Sequence, residues 1–336
     1  MNHTALFWDK ADGGRVLCRL CPHRCIIPDQ AYGICGVRFN DNGRLVSLNY
    51  GRIAACSADP IEKKPLYHFL PGSLAYSISA PGCNFRCGFC QNSGISQLKT
   101  REKLEDIREV SPESVVSRAI SSDCASIAYT YTEPTVFFEY ALDCARLAKA
   151  EELKNIFVTN GYISSEALLK IAPFLDAANI DLKYSSQEFY EANCGGGLKP
   201  VLDTIKLMLE LGIWVEVTTL IIPGENDDLK SLSDIANYIS SLGKNIPWHI
   251  SKYFPSYKYS SETPPTSIAA LEAAEQAGRA SGLKYIYKGN TQADNSTYCP
   301  ECSALLIERS GYSSELFNII TENRCASCGF KIDLIL

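Results

Sequence analysis

The sequence lacks any apolar run long enough to span a membrane, and the stretch Met1 to Lys10 lacks the basic start and apolar middle of a secretory signal. It also lacks a basic run: 32 Lys and Arg stand against 38 Asp and Glu, a net charge of −6. With no positive stripe to follow a phosphate backbone, nucleic-acid binding is not indicated. We therefore expect a cytoplasmic protein with no membrane association.

Low-complexity segments are absent too, and 46% hydrophobic with 21% charged residues is ordinary for a globular chain. Cysteine, in contrast, is plentiful. In a 336-residue cytosolic protein, 15 cysteines indicate metal sites or redox chemistry rather than disulfides. Most of them fall into three groups, which divide the chain into a predicted Cys-rich metal-binding segment 1–72, a central domain 73–291 and a terminal segment 292–336.

The middle group is the most informative, Cys83-Asn-Phe-Arg-Cys87-Gly-Phe-Cys90, and it follows a strand-like run from Leu74 to Ala80. Three thiolates hold three corners of a 4Fe-4S cluster, whereas a fully protein-ligated cluster needs four. One iron stays open, and the expected ligand is S-adenosylmethionine (SAM), bound through its amino and carboxylate groups. One electron from the cluster then cleaves SAM to a 5′-deoxyadenosyl radical. The alternatives are buried thiols or a zinc knuckle, although structural zinc requires a fourth protein ligand.

The two outer groups each offer four thiols. Cys299-Pro-Glu-Cys302 and Cys325-Ala-Ser-Cys328 are two CxxC knuckles, which predict a structural zinc ribbon. The alternatives are an additional electron-transfer cluster and thiols without a metal. The first group has the less regular spacing x2, x3, x9 and fits a zinc knuckle or a ferredoxin-like cluster equally well; its members are Cys18, Cys21, Cys25 and Cys35. Cys56 is a spare candidate ligand.

Between the second and third groups, short apolar runs alternate with helical patterns, as in repeated βα units around parallel strands. The predicted strands are 74–80, 126–131, 155–160, 177–182, 214–221, 247–253 and 284–288. The predicted helices are 111–122, 135–150, 165–175, 200–212, 228–242 and 267–281. Polar residues follow the strands, and the carboxyl ends of barrel strands form the face that carries the chemistry. The fold class is therefore α/β, with one functional mouth.

These motifs resemble radical SAM enzymes of the pyruvate formate-lyase activating enzyme superfamily, the glycyl-radical activases, and within it the radical enzymes of the three-protein AmmeMemoRadiSam system. The resemblance covers nearly the whole chain, including Asp59 to Phe69, Thr130 to Thr135, Pro247 to Ser251 and Tyr285 to Asn290. It implies a partial (β/α)6 radical-SAM barrel with the cluster loop after its first strand.

The resemblance also implies roles by position. Cys83, Cys87 and Cys90 match the catalytic cluster ligands, and the remaining matches are cofactor contacts: Phe89 beside the adenine, Glu133 at the methionine amino group, Asp181 and Lys183 near the carboxylate, and also Asn160 and His249. In activases two glycines precede the glutamate, where this chain has Tyr131 and Thr132, and Val158 replaces an aspartate that helps to hold a cation. Without the resemblance, Glu133 and Lys183 are also consistent with surface ion pairs and His249 with a core histidine.

The leading hypothesis is hydrogen abstraction from a substrate at the barrel mouth by a radical SAM oxidoreductase. The substrate is a glycine of a partner protein, as in glycyl-radical activation, or a molecule handled with the AmmeMemoRadiSam companion proteins. A low-potential donor such as flavodoxin or ferredoxin is the expected electron source. The competing hypothesis is a non-catalytic zinc and iron-sulfur interaction scaffold, which needs no cofactor pocket. Cys194, before Gly195, Gly196 and Gly197, is interpreted as part of a flexible surface loop, with a mobile active-site thiol as the alternative.

Overall fold

The computed structural model describes residues 3–97, 104, 106–259 and 263–336. Its strands, in chain order, are β1 His3–Thr4, β2 Trp8–Lys10, β3 Val16–Cys18, β4 Ile26–Ile27, β5 Arg38–Asp41, β6 Arg44–Ser47, β7 Ala55–Pro60, β8 Leu74–Ser79, β9 Ser126–Tyr129, β10 Lys154–Thr159, β11 Ala177–Asp181, β12 Trp214–Ile221, β13 Trp248–Lys252, β14 Ile286–Gly289, β15 Thr297–Tyr298, β16 Leu305–Ser310, β17 Ser313–Leu316, β18 Ile319–Ile320 and β19 Arg324–Cys325. The helices of at least seven residues are α1 Pro112–Ser121, α2 Phe138–Ala150, α3 Ser165–Ile171, α4 Leu198–Glu210, α5 Leu229–Leu242 and α6 Ile268–Ala280.

The central sheet has eight strands in the order β14-β13-β12-β11-β10-β9-β8-β7. Strands β8 to β14 pair in parallel, each with the next, and β7 pairs antiparallel with β8. Helices α1 to α6 make the six connections between consecutive parallel strands. This arrangement confirms the predicted α/β fold with its parallel barrel-like sheet, and the seven predicted strands are present near their predicted bounds.

Local sequence signals explain where the helices begin and end. The Ser111 hydroxyl accepts a hydrogen bond from Ser114 N at 3.3 Å, and Pro112 occupies the first turn, where a missing N–H is harmless. The predicted helix 165–175 ends earlier, at Ile171, and continues as a 3-10 turn from Ala172 to Phe174. Pro173 explains the difference, because proline cannot supply the N–H that an α-helix needs.

Small residues of neighbouring strands leave room at the amino end of the barrel for an apolar plug, formed by Ile61, Leu66 and Phe69. Ala75, Ala128 and Ala177 pack there against Phe69 and other apolar residues of the segment before β8. Apolar contact of this kind is the main stabilising contribution of a barrel interior. The plug therefore closes the amino end of the barrel and leaves its carboxyl end for the site.

The C-terminal segment also packs at this amino end. The Arg309 guanidinium from β16 donates to Tyr67 O at 2.5 Å and to Thr297 Oγ1 at 2.7 Å, and lies 4.3 Å from the centre of the Tyr67 ring. Nearby, Asn245 Nδ2 donates to Asp333 Oδ2 at 2.6 Å. The terminal segment and the barrel base are thus joined through buried polar contacts.

The N-terminal segment forms two small sheets, β1-β6-β5 and β2-β3-β4, against helix α2. A bidentate ion pair joins this segment to the helix: Arg38 Nη1 and Nη2 lie 2.8 and 2.6 Å from the two oxygens of Glu139, and both side chains are buried. The division at 72 and 292 stays a prediction. No described helix is both long and apolar enough to cross a membrane.

Candidate active site and cysteine clusters

The loop after β8 carries the three predicted cluster ligands into a cavity at the carboxyl ends of the strands. Cys83, Cys87 and Cys90 all line this cavity, whose volume is about 350 Å³. The backbone of Gly82 has φ +102°, and a Cβ there would lie 2.8 Å from Val37 Cγ1. Glycine is therefore needed immediately before the first ligand.

Polar groups around the sulfur atoms suit thiolates. Phe85 N donates to Cys83 Sγ at 3.3 Å, Asn160 Nδ2 approaches the same sulfur at 3.8 Å, and the Ser96 hydroxyl lies 3.2 Å from Cys90 Sγ. Burial raises the pKa of the Cys83 thiol well above its ordinary value when no metal is bound. These donors and the shared cavity fit a three-thiolate iron-sulfur cluster, which would hold the sulfur atoms as thiolates.

Glu133, in the segment that follows β9, lines the same cavity and is 2% exposed. Its Oε1 accepts from Thr135 N, Thr135 Oγ1 and Thr159 Oγ1 at 3.0, 2.6 and 2.8 Å, and its Oε2 accepts from Asn160 N at 2.8 Å. Burial raises the pKa of this carboxyl, although the four hydrogen bonds lower it. Oε2 keeps room for another donor. Glu133 therefore joins two strand ends and can still bind a cation in the cavity.

Asp181, the last residue of β11, and Lys183, two residues later, form a charged pair in the cavity wall. Lys183 Nζ lies 2.7 Å from Asp181 Oδ2 and 5.9 Å from the centre of the Phe89 ring. Burial by itself lowers the pKa of Lys183, but the Asp181 carboxylate and nearby cysteines raise it well above its ordinary value. The ammonium group thus stays charged at neutral pH.

Asn160 connects the cluster loop to the strand ends. Its Nδ2 donates to Asn84 Oδ1 at 2.9 Å, and its Oδ1 accepts from Tyr162 N at 2.9 Å. Val158, also in the cavity wall, offers no oxygen ligand for a cation. Five of the predicted cofactor contacts line the same cavity as the three cysteines; they are Phe89, Glu133, Asn160, Asp181 and Lys183.

His249 lies elsewhere. Its Nε2 donates to Glu216 Oε2 at 2.7 Å, and both side chains are buried in the barrel interior. The described residues that line the cavity do not include His249, whereas Ser251, two residues further along β13, does line it. The structure thus does not bring His249 to the other predicted cofactor residues, and its cofactor contact stays a prediction.

A second group of charged residues lies at the cavity, and no role was predicted for these residues from the sequence. Lys64 Nζ lies 2.7 Å from Asp59 Oδ2, and Lys63 Nζ lies 2.8 Å from Asp59 Oδ1. The Tyr131 hydroxyl donates to the same Asp59 carboxylate from a backbone with φ +64°. Lys63, Lys64 and Tyr131 line the cavity. Their signals were present, since the Asp59 segment and the replacement of glycine by Tyr131 both stood out in the sequence.

Cys194 is buried rather than part of an exposed loop. It ends a π-helical turn, Tyr190–Cys194, and its carbonyl accepts from Arg86 N at 2.7 Å. The following Gly195 has φ +72°. The surface-loop interpretation of this thiol is therefore wrong, because the turn places Cys194 against the cluster loop.

The C-terminal cysteines converge tightly. Cys299 Sγ and Cys328 Sγ lie 3.6 Å apart, as do Cys302 Sγ and Cys325 Sγ, and all four sulfur atoms lie within 4.8 Å of one another. A tetrahedral zinc with Zn–S bonds of about 2.3 Å has an S–S edge of about 3.8 Å. A four-cysteine metal site is present here, and its geometry is compatible with a zinc ribbon.

The N-terminal cysteines also share one place: Cys18, Cys21, Cys25 and Cys35 line a single small cavity. Cys56 is exposed on β7 and is not among the described residues that line that cavity. The spare cysteine is therefore separate from the quartet.

Comparison with known proteins identifies the fold and a radical SAM domain. A model of the Radical SAM superfamily matches residues 77–235. The chain is 44% identical over 336 residues to the uncharacterized protein MJ0808 of Methanocaldococcus jannaschii, with 99% of each chain covered. It is 23% identical over 189 residues to the pyruvate formate-lyase-activating enzyme of Clostridium pasteurianum, covering 51% of this chain and 75% of that enzyme.

Among solved structures, a radical SAM methyltransferase from Sphaerobacter thermophilus shares the fold, with a TM-score of 0.50, 16% identity, and coverage of 65% of this chain and 67% of that one. At this identity the likeness concerns the fold alone. The family match covers the strand, the cluster loop and the strand ends whose cysteines, glutamate and lysine meet in one cavity. Residues 77–235 of the chain are a radical SAM domain.

Proposed function

We propose that this protein is an activase-like radical SAM enzyme that abstracts hydrogen from a substrate at the barrel mouth. The observation that carries the proposal is the shared cavity, in which three cysteine thiols stand with a buried carboxylate, Glu133, and a partly exposed ammonium, Lys183. Strand interiors of a parallel sheet are normally apolar. Charged groups at strand ends around three thiols therefore indicate a ligand-binding site.

Cys83, Cys87 and Cys90 would hold the 4Fe-4S cluster, and the cluster, when bound, supplies the electron that cleaves SAM to the 5′-deoxyadenosyl radical. SAM carries an ammonium group and a carboxylate. Glu133 Oε2 suits the first and Lys183 Nζ the second. Two opposite charges fixed in the wall orient such a ligand more firmly than one does. An aromatic surface for the adenine is available at Phe89.

The proposed substrate is a glycine of a partner protein. Sequence similarity to the pyruvate formate-lyase-activating enzyme of Clostridium pasteurianum supports this choice. The second candidate is a molecule handled with the two AmmeMemoRadiSam companion proteins, favoured by the motifs Asp59 to Phe69 and Tyr285 to Asn290. Lys63, whose side chain is 44% exposed, adds a positive charge at the cavity rim for either substrate. A flavodoxin or ferredoxin is the proposed electron donor.

The terminal four-cysteine site is proposed to bind zinc for folding. Its S–S distances of 3.6 Å match a single tetrahedral ion. Metal bonds can stabilise a segment of this size, whose own apolar core is small. The site lies at the base of the barrel, away from the cavity that would bind SAM.

The experiment is anaerobic reconstitution of the full chain with iron and sulfide, followed by reduction with dithionite and addition of SAM. We expect 5′-deoxyadenosine from the parent and from a Cys56→Ser control, since Cys56 is exposed and outside the cavity. A fully reconstituted, reduced protein that forms none contradicts the proposal and favours the scaffold hypothesis.

The substrate is tested separately with deuterium. A candidate partner whose glycine carries deuterium at Cα should yield deuterated 5′-deoxyadenosine and a glycyl radical signal. Deuterium-free product together with a nearby gene pair for the AmmeMemoRadiSam companions would contradict the glycine proposal in favour of the second candidate.

A further inference from the structure

Two cysteine quartets of this chain have the same number of thiols but different spacing. In the part of the chain that the structure describes, the C-terminal quartet is the group whose sulfur atoms all lie within 4.8 Å of one another. No three of the described sulfur atoms of Cys18, Cys21, Cys25 and Cys35 meet that limit, although all four residues line one cavity. The N-terminal quartet is therefore too wide for four bonds of about 2.3 Å to one zinc ion.

A wider set of thiolates fits a multinuclear centre. In a 4Fe-4S cluster each cysteine binds a different iron, so the sulfur atoms stand farther apart than around a single ion. Cys83, Cys87 and Cys90, the ligands expected for the SAM-binding cluster, also lie outside the 4.8 Å limit among described residues. The sulfur atoms of the N-terminal quartet, like those of the cluster loop, therefore lie farther apart than those of the C-terminal quartet.

A buried N–H group in the wall points to an occupant that accepts a hydrogen bond. Arg38 lines the N-terminal cavity and is 1% exposed. Its two terminal nitrogens bind Glu139, but its Nε–H has no described hydrogen-bond partner. A buried guanidinium N–H without an acceptor is costly. Thiolate or sulfide sulfur in this cavity would supply the missing acceptor.

The N-terminal cavity borders the cluster loop. Asn84, the residue after Cys83, lines it, and His23 Nε2 donates to Asn84 O at 2.8 Å. Gly82, the residue before Cys83, also lies against this quartet, since a Cβ there would lie 3.1 Å from Cys35 O. The two cysteine sites therefore border the same short backbone stretch.

We propose that Cys18, Cys21, Cys25 and Cys35 bind a second iron-sulfur cluster of the 4Fe-4S class, with Arg38 Nε donating to one of its sulfur atoms. This centre goes beyond the proposed SAM reaction and stands independently of it. It places a one-electron carrier beside a site whose proposed chemistry consumes one electron.

The test uses the full chain with Cys83, Cys87 and Cys90 all changed to alanine, reconstituted anaerobically with ⁵⁷Fe and sulfide. We expect about four irons and about four sulfides per chain, about one zinc, and a Mössbauer spectrum of a 4Fe-4S cluster. Loss of iron to background with zinc rising to about two per chain would overturn the proposal. This readout does not depend on SAM cleavage.

A second variant covers the case in which the triple variant fails to fold. Cys18→Ser with Cys21→Ser, in a chain that keeps Cys83, should lower the iron content from about eight to about four and leave zinc at about one. Unchanged iron, or loss of one zinc instead, would contradict the proposal. The matched control is Cys56→Ser, an exposed cysteine of the same segment, which should change neither metal.

Discussion

Two buried glutamates of the barrel show how the mouth and the base differ. Glu133, at the mouth, holds two strand ends together and still faces the cavity with Oε2. Glu216, in the interior below, accepts from Tyr67 N, His68 N and Trp214 Nε1, as well as from His249. Its acceptor positions are thus filled by protein donors. The Glu133 carboxylate is available to a ligand, whereas the Glu216 carboxylate stabilises the fold.

The same contrast extends to the histidines and lysines. Lys183 stands in the cavity wall, whereas His249 and His68 belong to a polar layer that connects the barrel to Arg309 of the terminal segment. Mutation of the cavity cysteines or of Lys183 should therefore change the chemistry with little loss of stability, and mutations at the base should do the reverse.

The largest effect should follow loss of the three cluster thiols. Replacing Cys83, Cys87 and Cys90 with alanine should abolish 5′-deoxyadenosine formation, because no ligand set for the SAM-binding cluster remains. Urea unfolding should still show a cooperative transition, since the base is untouched. If this variant cleaved SAM at the parental rate, the mouth would not be the end of the barrel that carries the chemistry.

At the base, Glu216→Ala should lower the free energy of unfolding by about 3–5 kcal/mol, because it leaves several buried donors without an acceptor. The measurement is urea unfolding, with Glu308→Ala as control. Glu308 is exposed beside Arg309, and its loss should cost no more than about 0.5 kcal/mol. A stable Glu216→Ala protein with impaired SAM binding would mean that the base belongs to the site.

Much of this division could be predicted from the sequence, because it rests on local patterns. The alternation of apolar runs and helical patterns located the parallel strands, and spacing alone grouped Cys299 with Cys328. The placement of His249 could not be predicted, since Glu216 and Tyr67 come from distant parts of the chain. The contact between Asp59 and Tyr131 likewise joins residues 72 positions apart. Pairings of this kind depend on tertiary packing.

His68 gives the base of the barrel a pH dependence. Its Nδ1–H donates to Asp333 O and its Nε2 accepts from the Tyr287 hydroxyl, an arrangement for the neutral ring. Burial lowers the pKa of His68 from 6.5 to about 4. Stability from the neutral ring is present above pH 6.5 and is lost as the pH falls toward 4, since the unfolded chain binds the proton first.

Between about pH 7 and about pH 5 the parent should therefore lose about 2 kcal/mol more than a His68→Gln variant in urea unfolding. Equal losses in the two proteins would show that protonation of His68 does not destabilise the base of the barrel. Such a result would weaken the view that the polar layer is a structural unit.

The smallest effect concerns Lys183. Lys183→Met keeps the length of the side chain and removes its charge, so SAM should bind about tenfold more weakly, about 1.4 kcal/mol, while the cluster spectrum is retained. The control is Lys252→Met, a lysine at the end of β13 that is not among the described cavity residues. SAM titration of the reduced cluster, followed by electron paramagnetic resonance, measures both. If the two variants bind alike, Lys183 serves its Asp181 partner alone, and the charged wall at the mouth is structural like the base.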